Sequence, residues 1–348
     1  MLFRSKSVDV NSAANCIRWY GEAVDKVYDE IAPTADTALA LITRQPVGVV
    51  GVIVPWNYPM IMASWKLGPA LAAGNTSVLK PASFTSITAL MLGEVFQEVD
   101  LPPGVANIVA GPGGTAGEVL ASSNLVDKTA FTGSTEVGRR IMQLASGTVK
   151  PVTLELGGKS ANIVLDDDAF AKGVARGVST MMTNSGQSCN APTRMLVPAA
   201  RMDEAIVVAR EAASQITVGD PNGNSMLGPV VNKTQFDKIQ KLIQAGIDEG
   251  ATLVSGGVGR PDGIDKGYFV KPTVFANVTP AMTIAREEIF GPVLAIMGYE
   301  AKVTEREQSG RTVHRVRLGP FEEKGEADLT KEKLMAAGFE AALVRAPK

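Results

Sequence analysis

From residue 47 to residue 255, short apolar runs alternate regularly with helical segments. This alternation limits the chain's folds more than any other feature. Residues 47–54 (VGVVGVIV) form a short β-branched run, the pattern of a strand buried on both faces, and Pro55 and Pro59 close it. Helical spacing follows at 60–73, 86–99, 115–122 and 135–145, with strand-like runs between at 77–79, 105–109 and 128–131. The pattern resumes after Glu155, with strands at 162–165, 194–197 and 251–255 and helices at 169–183, 202–215 and 235–249. Repeated β-α units with Gly/Pro punctuation predict an α/β fold built on a doubly wound parallel sheet. Ahead of them, residues 12–30 have helical spacing with Cys16 on the apolar side, where a core cysteine is expected. Residues 34–44 read as an exposed strand or arm.

Composition narrows the function classes. The chain has 348 residues, 45% of them hydrophobic, which is ordinary globular material for about two or three domains. A net charge of −2 supplies no basic field for nucleic acid. A single histidine, His314, nearly excludes Ser-His-Asp hydrolysis and multi-histidine metal sites. The two cysteines, Cys16 and Cys189, are far apart and suit a reducing, cytoplasmic compartment. The first ten residues contain no apolar signal core, and the most apolar run, 47–56, is too short to span a bilayer.

Two stretches hold candidate chemistry: TLELGGKS (153–160) with Glu155, and NSGQSCNAP (184–192) with Cys189. A thiolate can attack a carbonyl, and a carboxylate can then activate water against the thioester. Taken singly, a cysteine is more often a small buried hydrophobe and a glutamate more often solvated. FTGSTEVG (131–138) lies at a strand-to-helix junction, where backbone amides could receive a pyrophosphate; a plain tight turn is the simpler reading. VLKPAS (78–83) puts Lys80 past a strand end, at the ligand edge of an open sheet, although a surface lysine is the default. PWNYP (55–59) puts Asn57 at another strand end, either as an oxyanion donor or as an ordinary turn asparagine.

In this order, PWNYP, LKPAS, FTGSTEVG, LELGGKS, GQSC and EEIFGPV resemble the landmarks of the aldehyde dehydrogenase superfamily over residues 13–297. The resemblance implies NAD(P)-dependent oxidation of an aldehyde to a carboxylic acid. It makes Cys189 the nucleophile, Glu155 the general base, and Asn57 with the Cys189 amide the oxyanion hole. Lys66, in WKLGPAL, becomes an internal supporting lysine counted with the catalytic set. For NAD or NADP it implies contacts from Trp56, Lys80, Ser83, Gly133, Ser134, Gly138, Leu156, Glu288 and Phe290. Ser83 stands where the family often has a glutamate that would repel a 2′-phosphate, so NADP is expected to be tolerated. The substrate pocket is expected near Tyr58, Trp65 and residues 188–190. The implied parts are a dinucleotide-binding domain (1–27 and 45–156), an arm for homo-oligomer pairing (28–44) and a catalytic domain (157–298) expected to be truncated. Family members extend further at both ends.

Near Gly298 the composition shifts: 19 of the 50 residues from 299 to 348 are charged. Residues 312–318 alternate as a strand, 331–337 are helical and 341–344 strand-like. VRLGPF and the GF…LVR ending resemble the second half of a SPOR domain, the peptidoglycan-binding module of bacterial cell-division proteins. An alternative reading follows, in which an inactive or truncated dehydrogenase body belongs to a chimeric peptidoglycan-binding protein. Half of so small a module buries too little surface to stand alone, so it is expected to pack on the body or pair between chains.

Overall fold

The structure is a computed structural model that describes residues 8–308, 311–318, 324–336 and 341–343. In chain order, its strands are β1 (Glu30–Ala32), β2 (Ala40–Ile42), β3 (Val49–Ile53), β4 (Thr76–Lys80), β5 (Ala106–Ile108), β6 (Lys128–Thr132) and β7 (Val152–Glu155). They continue with β8 (Ala161–Ile163), β9 (Arg194–Pro198), β10 (Thr252–Ser255), β11 (Thr273–Ala276), β12 (Val293–Tyr299), β13 (Ala301–Gln308) and β14 (Arg311–Leu318).

The first sheet has the order β5-β4-β3-β6-β7, with every pair parallel. Its central strand alternates between the two faces, as a pleated strand must. Val50 and Val52 join Leu67, Leu79 and Leu92 under the helices Pro59–Ala72 and Ser86–Glu98. Ile53 turns the other way, to Phe131 and Ile141 of the Thr135–Ser146 helix. Each fully buried side chain of this size stabilises the sheet by about 1.5–3 kcal/mol, so the β-branched run at 47–54 becomes the sheet's spine.

The second sheet has the order β10-β11-β12-β9-β8, with β10 antiparallel and the other pairs parallel. β12 is its middle strand. Leu294 and Ile296 pack with Met195, Val197 and Met181, and Val293, Ala295 and Met297 pack with Phe275, Ile239 and Ile243. Two antiparallel hairpins stand outside both sheets, β1-β2 and β13-β14. The first is tied by Arg44, whose amide donates to Asp29 Oδ1 at 2.8 Å and whose Nη2 pairs with Glu30 at 2.5 Å. A helix at Lys324–Ala336 follows β14.

Several expectations need correction. The helix expected at 12–30 spans Val10–Ala23, continues as a 3-10 turn to Lys26, and gives way to β1. Cross-strand pairing of Ile31 with Leu41 overrides local helical spacing there. Cys16 is half-buried rather than part of the core. The arm is a hairpin of two three-residue strands, not one strand over 34–44. The helix expected at 331–337 begins earlier, at Lys324. Residues 341–343 have no regular structure, and Val344 lies outside the described residues. β7, β11, β12 and β13 were not anticipated. β11 is only four residues long, and β12 is entered through Gly291-Pro292, which reads locally as a turn.

Candidate active site

Because β3, β4, β6 and β7 run parallel, the residues just past their C-terminal ends share one sheet edge. These residues are Asn57 after β3, Lys80 ending β4, Gly133 and Ser134 after β6, and Glu155 ending β7. In an open parallel sheet this is the edge where ligands bind. The Gly133 amide donates to the Glu155 carbonyl at 3.1 Å, fixing the two strand ends against each other. Ser134 caps the Thr135–Ser146 helix through its Oγ, which accepts from the Val137 amide at 3.3 Å. The first helical amides, Thr135 and Glu136, have no acceptor inside the helix. Two glycines make this edge smooth. A Cβ on Gly138 would lie 2.5 Å from Leu156 Cδ2, and one on Gly133 would lie 2.5 Å from Phe131 Cζ.

Cys189 is exposed, on the loop between the Phe170–Met181 helix and β9. The preceding residues wind left-handed, with φ values of 59° at Asn184, 55° at Ser185 and 68° at Gly186. That strained turn is held from both sides. Asn57 Nδ2 and Asn184 Nδ2 both donate to the Gln187 carbonyl, at 3.1 and 3.0 Å. Gln187 Oε1 accepts from the Val231 amide at 2.9 Å, and Tyr58 Oη lies 2.7 Å from Ser188 Oγ. The PWNYP turn and the cysteine loop are thus bonded together across 130 residues of sequence. Amide nitrogen carries two hydrogens, so Asn57 keeps one for a further acceptor.

Glu288 follows the short Thr283–Arg286 helix. Its Oε1 accepts from the Gly158 amide at 3.3 Å, and a Cβ on Gly157 would lie 2.1 Å from its Oε2. A side chain there would have to displace the carboxylate, which rests on the turn just after Glu155. Burial pushes the Glu288 carboxyl up, against the Gly158 amide, Lys238 and Lys159, which favour the ionised form. Lys238 Nζ also donates to the Glu288 carbonyl at 2.8 Å. Phe290, at φ 58°, stacks edge-on against Trp56 with ring centroids 5.4 Å apart. Lys66 is half-buried; burial lowers its pKa and the Glu155 charge opposes that shift, placing the amine within electrostatic reach of the carboxylate. Lys80 is buried and its pKa is lowered for the same reason. Ser83 Oγ donates to the Gly111 carbonyl at 3.2 Å. Trp65 is exposed.

Sequence reasoning missed Asp9, Asn184, Gln187 and Lys159. The NSG triplet before Gln187 favours left-handed turns and could have flagged Asn184. Nothing local marks the others. Lys159 Nζ is buried without a hydrogen-bond partner among the described residues. Its pKa is pulled down to about 8, by burial first and then by Arg194, with Glu288 and Glu287 opposing and Lys238 adding. No group of three or more His, Cys, Asp or Glu among the described residues is placed to hold a metal ion. None of the described helices is long and apolar enough to cross a membrane.

An exposed cysteine on a loop bonded to the turn after a central strand of an open parallel sheet places the chain in the α/β class, and comparison with known proteins narrows it. The family model described as "Aldehyde dehydrogenase family" matches residues 2–307, and the chain belongs to that family. A second model, "SPOR domain", matches residues 293–345. A 3-succinoylsemialdehyde-pyridine dehydrogenase of Pseudomonas sp is 51% identical over 74% of this chain and 54% of that protein. A chloroplastic betaine aldehyde dehydrogenase of Beta vulgaris is 41% identical over 97% of this chain and 68% of its own length. Among solved structures, an aldehyde dehydrogenase C mutant from Pseudomonas syringae, in complex with NAD+ and octanal, superposes with a TM-score of 0.81 at 42% identity. That match covers 85% of this chain and 61% of the other. An NAD+ complex of a Bacillus cereus aldehyde dehydrogenase gives 0.82 at 39% identity, over 85% and 60%. The chain spans 54% to 60% of the length of the curated relatives it matches first. The SPOR match includes β12, which is already the middle strand of the second sheet.

Proposed function

We propose that the chain oxidises an aldehyde to a carboxylic acid with NAD or NADP, through a thioester on Cys189. The observation that supports this most is the bonding of the PWNYP turn to the cysteine loop. It sets Asn57 beside Gln187 and leaves one amide hydrogen for an oxyanion. The Cys189 thiolate adds to the aldehyde carbon, and Asn57 Nδ2 with the Cys189 amide stabilises the oxygen. Preorganised donors of this kind are worth about 10²–10³ in rate each. Glu155, at the adjoining strand end, takes a proton from water as that water attacks the thioester. The Glu155 charge opposes the lowering of the Lys66 pKa by burial, which puts the amine within electrostatic reach of this carboxylate.

The residues fit a dinucleotide. The Gly133–Ser134 turn with the free Thr135 and Glu136 amides would hold a pyrophosphate, Lys80 one ribose and Glu288 the other. Leu156, Trp56 and Phe290 would flank the ring. The bound nicotinamide would accept the hydride. At Ser83 there is no carboxylate to repel a 2′-phosphate, so both cofactors are expected to bind. On this reading residues 1–27 and 45–156 form the cofactor domain, 157–298 the catalytic domain, and 28–44 a pairing arm.

The decisive experiment follows absorbance at 340 nm with propanal or an aminoaldehyde and each cofactor. Cys189→Ala is expected to abolish turnover. Glu155→Gln is expected to acylate but to release acid at least roughly 10²-fold more slowly, the span of general-base catalysis. Wild-type chain that folds and binds NAD but turns over no aldehyde would defeat the proposal.

The SPOR match favours a second, compatible reading: residues 299–348 contact peptidoglycan. Full-length chain should co-sediment with purified sacculi, whereas a chain ending at Tyr299 should not. Equal sedimentation would remove the tail from consideration.

A further inference from the structure

Asp9 is almost wholly buried, at 4% exposure, and belongs to neither sheet. Its two carboxylate oxygens accept from the amides of Met60 and Ile61, at 3.1 and 3.0 Å. Those residues open the Pro59–Ala72 helix, 51 and 52 positions further along the chain. A helix leaves its first four backbone N–H groups without intrahelical acceptors. The first three helical positions are accounted for. Pro59 has no N–H, and Met60 and Ile61 donate to Asp9. The Met62 amide then makes the first intrahelical bond, to the Tyr58 carbonyl at 2.9 Å.

The cap position itself is held by Tyr58, which makes no side-chain capping bond. Ser, Thr, Asp or Asn is the usual choice there. The tyrosine hydroxyl instead lies 2.7 Å from Ser188 Oγ, next to Cys189. The neighbouring Asn57 donates to the Gln187 carbonyl. The residue that would normally cap this helix is therefore engaged with the nucleophile's loop, and the cap is supplied from Asp9.

We propose that Asp9 is a positioning residue for the oxyanion donor: it fixes the start of the Pro59–Ala72 helix, and thereby seats Asn57 and Tyr58 against the Gln187–Ser188 backbone. An ionised carboxylate suits this place, because the helix N-terminus carries partial positive charge. Pro55 and Pro59 transmit the constraint, since each fixes its own φ and restricts the residue before it. This inference rests on the thioester reading only in assigning Asn57 its role.

The test uses the full chain and 4-nitrophenyl acetate, which reports acylation of Cys189 without any cofactor. The thiolate displaces 4-nitrophenolate, forming a C–S bond as the ester C–O bond breaks. Asp9→Asn keeps the shape but offers only one acceptor oxygen. It is expected to slow the nitrophenolate burst by about tenfold or more, since misplacement of about 1 Å can cost about 10²-fold. In an Asn57→Ala background the same substitution should cost little, because the two act as one unit. Amide exchange by mass spectrometry provides an independent readout. Asp9→Asn and Asp9→Ala should speed exchange in residues 56–62 and also in 184–189. An unchanged burst, additive losses, or faster exchange confined to 59–62 would make Asp9 a local helix cap and overturn the inference. If wild type gives no burst, the thiol reading fails, while the exchange at 184–189 still decides whether Asp9 seats the loop.

Discussion

Lys159 sits two residues from Gly157, on whose face the Glu288 carboxylate rests. Its amine is sealed from solvent without a hydrogen-bond partner among the described residues, and Arg194 and two glutamates act on its charge. Folding lowers its pKa from 10.5 to about 8, so between those values the unfolded chain binds more protons. Stability contributed by this group therefore rises with pH from about 8 to 10.5, and below 8 the folded state bears the full cost of a buried charge. By linkage that cost is about 3 kcal/mol as an upper figure. Lys159→Met should accordingly raise the urea midpoint at pH 7 and flatten the climb between pH 8 and 10. A variant that is less stable at pH 7, with the same pH slope, would show that the amine has a partner worth more than its burial costs.

At the scale of elements, the sequence was readable wherever local pattern and tertiary role agree. The run at 47–54 reads as a two-faced strand because residues 50–54 are buried on both faces, although Val47 at its entry is exposed. The helix expected at 135–145 is observed at Thr135–Ser146, one residue longer, where its spacing and its packing on the sheet agree. β12 was not legible, since its conformation depends on what packs against it; the NSG triplet hints at a left-handed turn over Asn184–Gly186, but not at what the turn packs against. Gly186 needs φ 68°, and a Cβ there would lie 2.0 Å from the Gly291 carbonyl oxygen. That close approach locks the cysteine loop to the IFGPV segment entering β12, joining residues 105 positions apart. Gly186→Ala meets both a backbone and a steric penalty and should cost about 2–3 kcal/mol. Its urea midpoint should fall, and its acylation rate should fall even where it remains folded. An alanine variant with wild-type stability and burst would mean that this turn has slack.

Across the whole molecule, two descriptions claim the same residues. The aldehyde dehydrogenase match runs to 307 and the SPOR match starts at 293. Packing ties the first seven of the shared residues, Val293–Tyr299, to the second sheet. β12 pairs in parallel with β11 through Val293–Ala295 and with β9 through Ala295–Tyr299, and its residues alternate between two buried clusters. It cannot also serve as an edge or centre of a separate small sheet. Among the described residues the β13-β14 hairpin is paired only with itself, from Ala301↔Leu318 to Gln308↔Arg311, and shares no strand with either large sheet. A boundary after Tyr299, whose hydroxyl donates to the Val164 carbonyl at 3.0 Å, therefore keeps every strand of the second sheet, whereas one before Val293 removes its middle. A chain ending at Tyr299 should retain a cooperative thermal transition and the upward shift of that transition on adding NAD, because a ligand that binds only the folded state stabilises it by mass action. A chain ending at Pro292 loses five buried side chains from Val293 to Met297, each worth about 1.5–3 kcal/mol when large, against a typical total stability of about 5–15 kcal/mol. It should show no cooperative transition. If instead the Tyr299 truncation also fails to melt cooperatively, the tail is part of the folding unit, and the charged segment from 299 onward must cover a surface that the two sheets alone leave open.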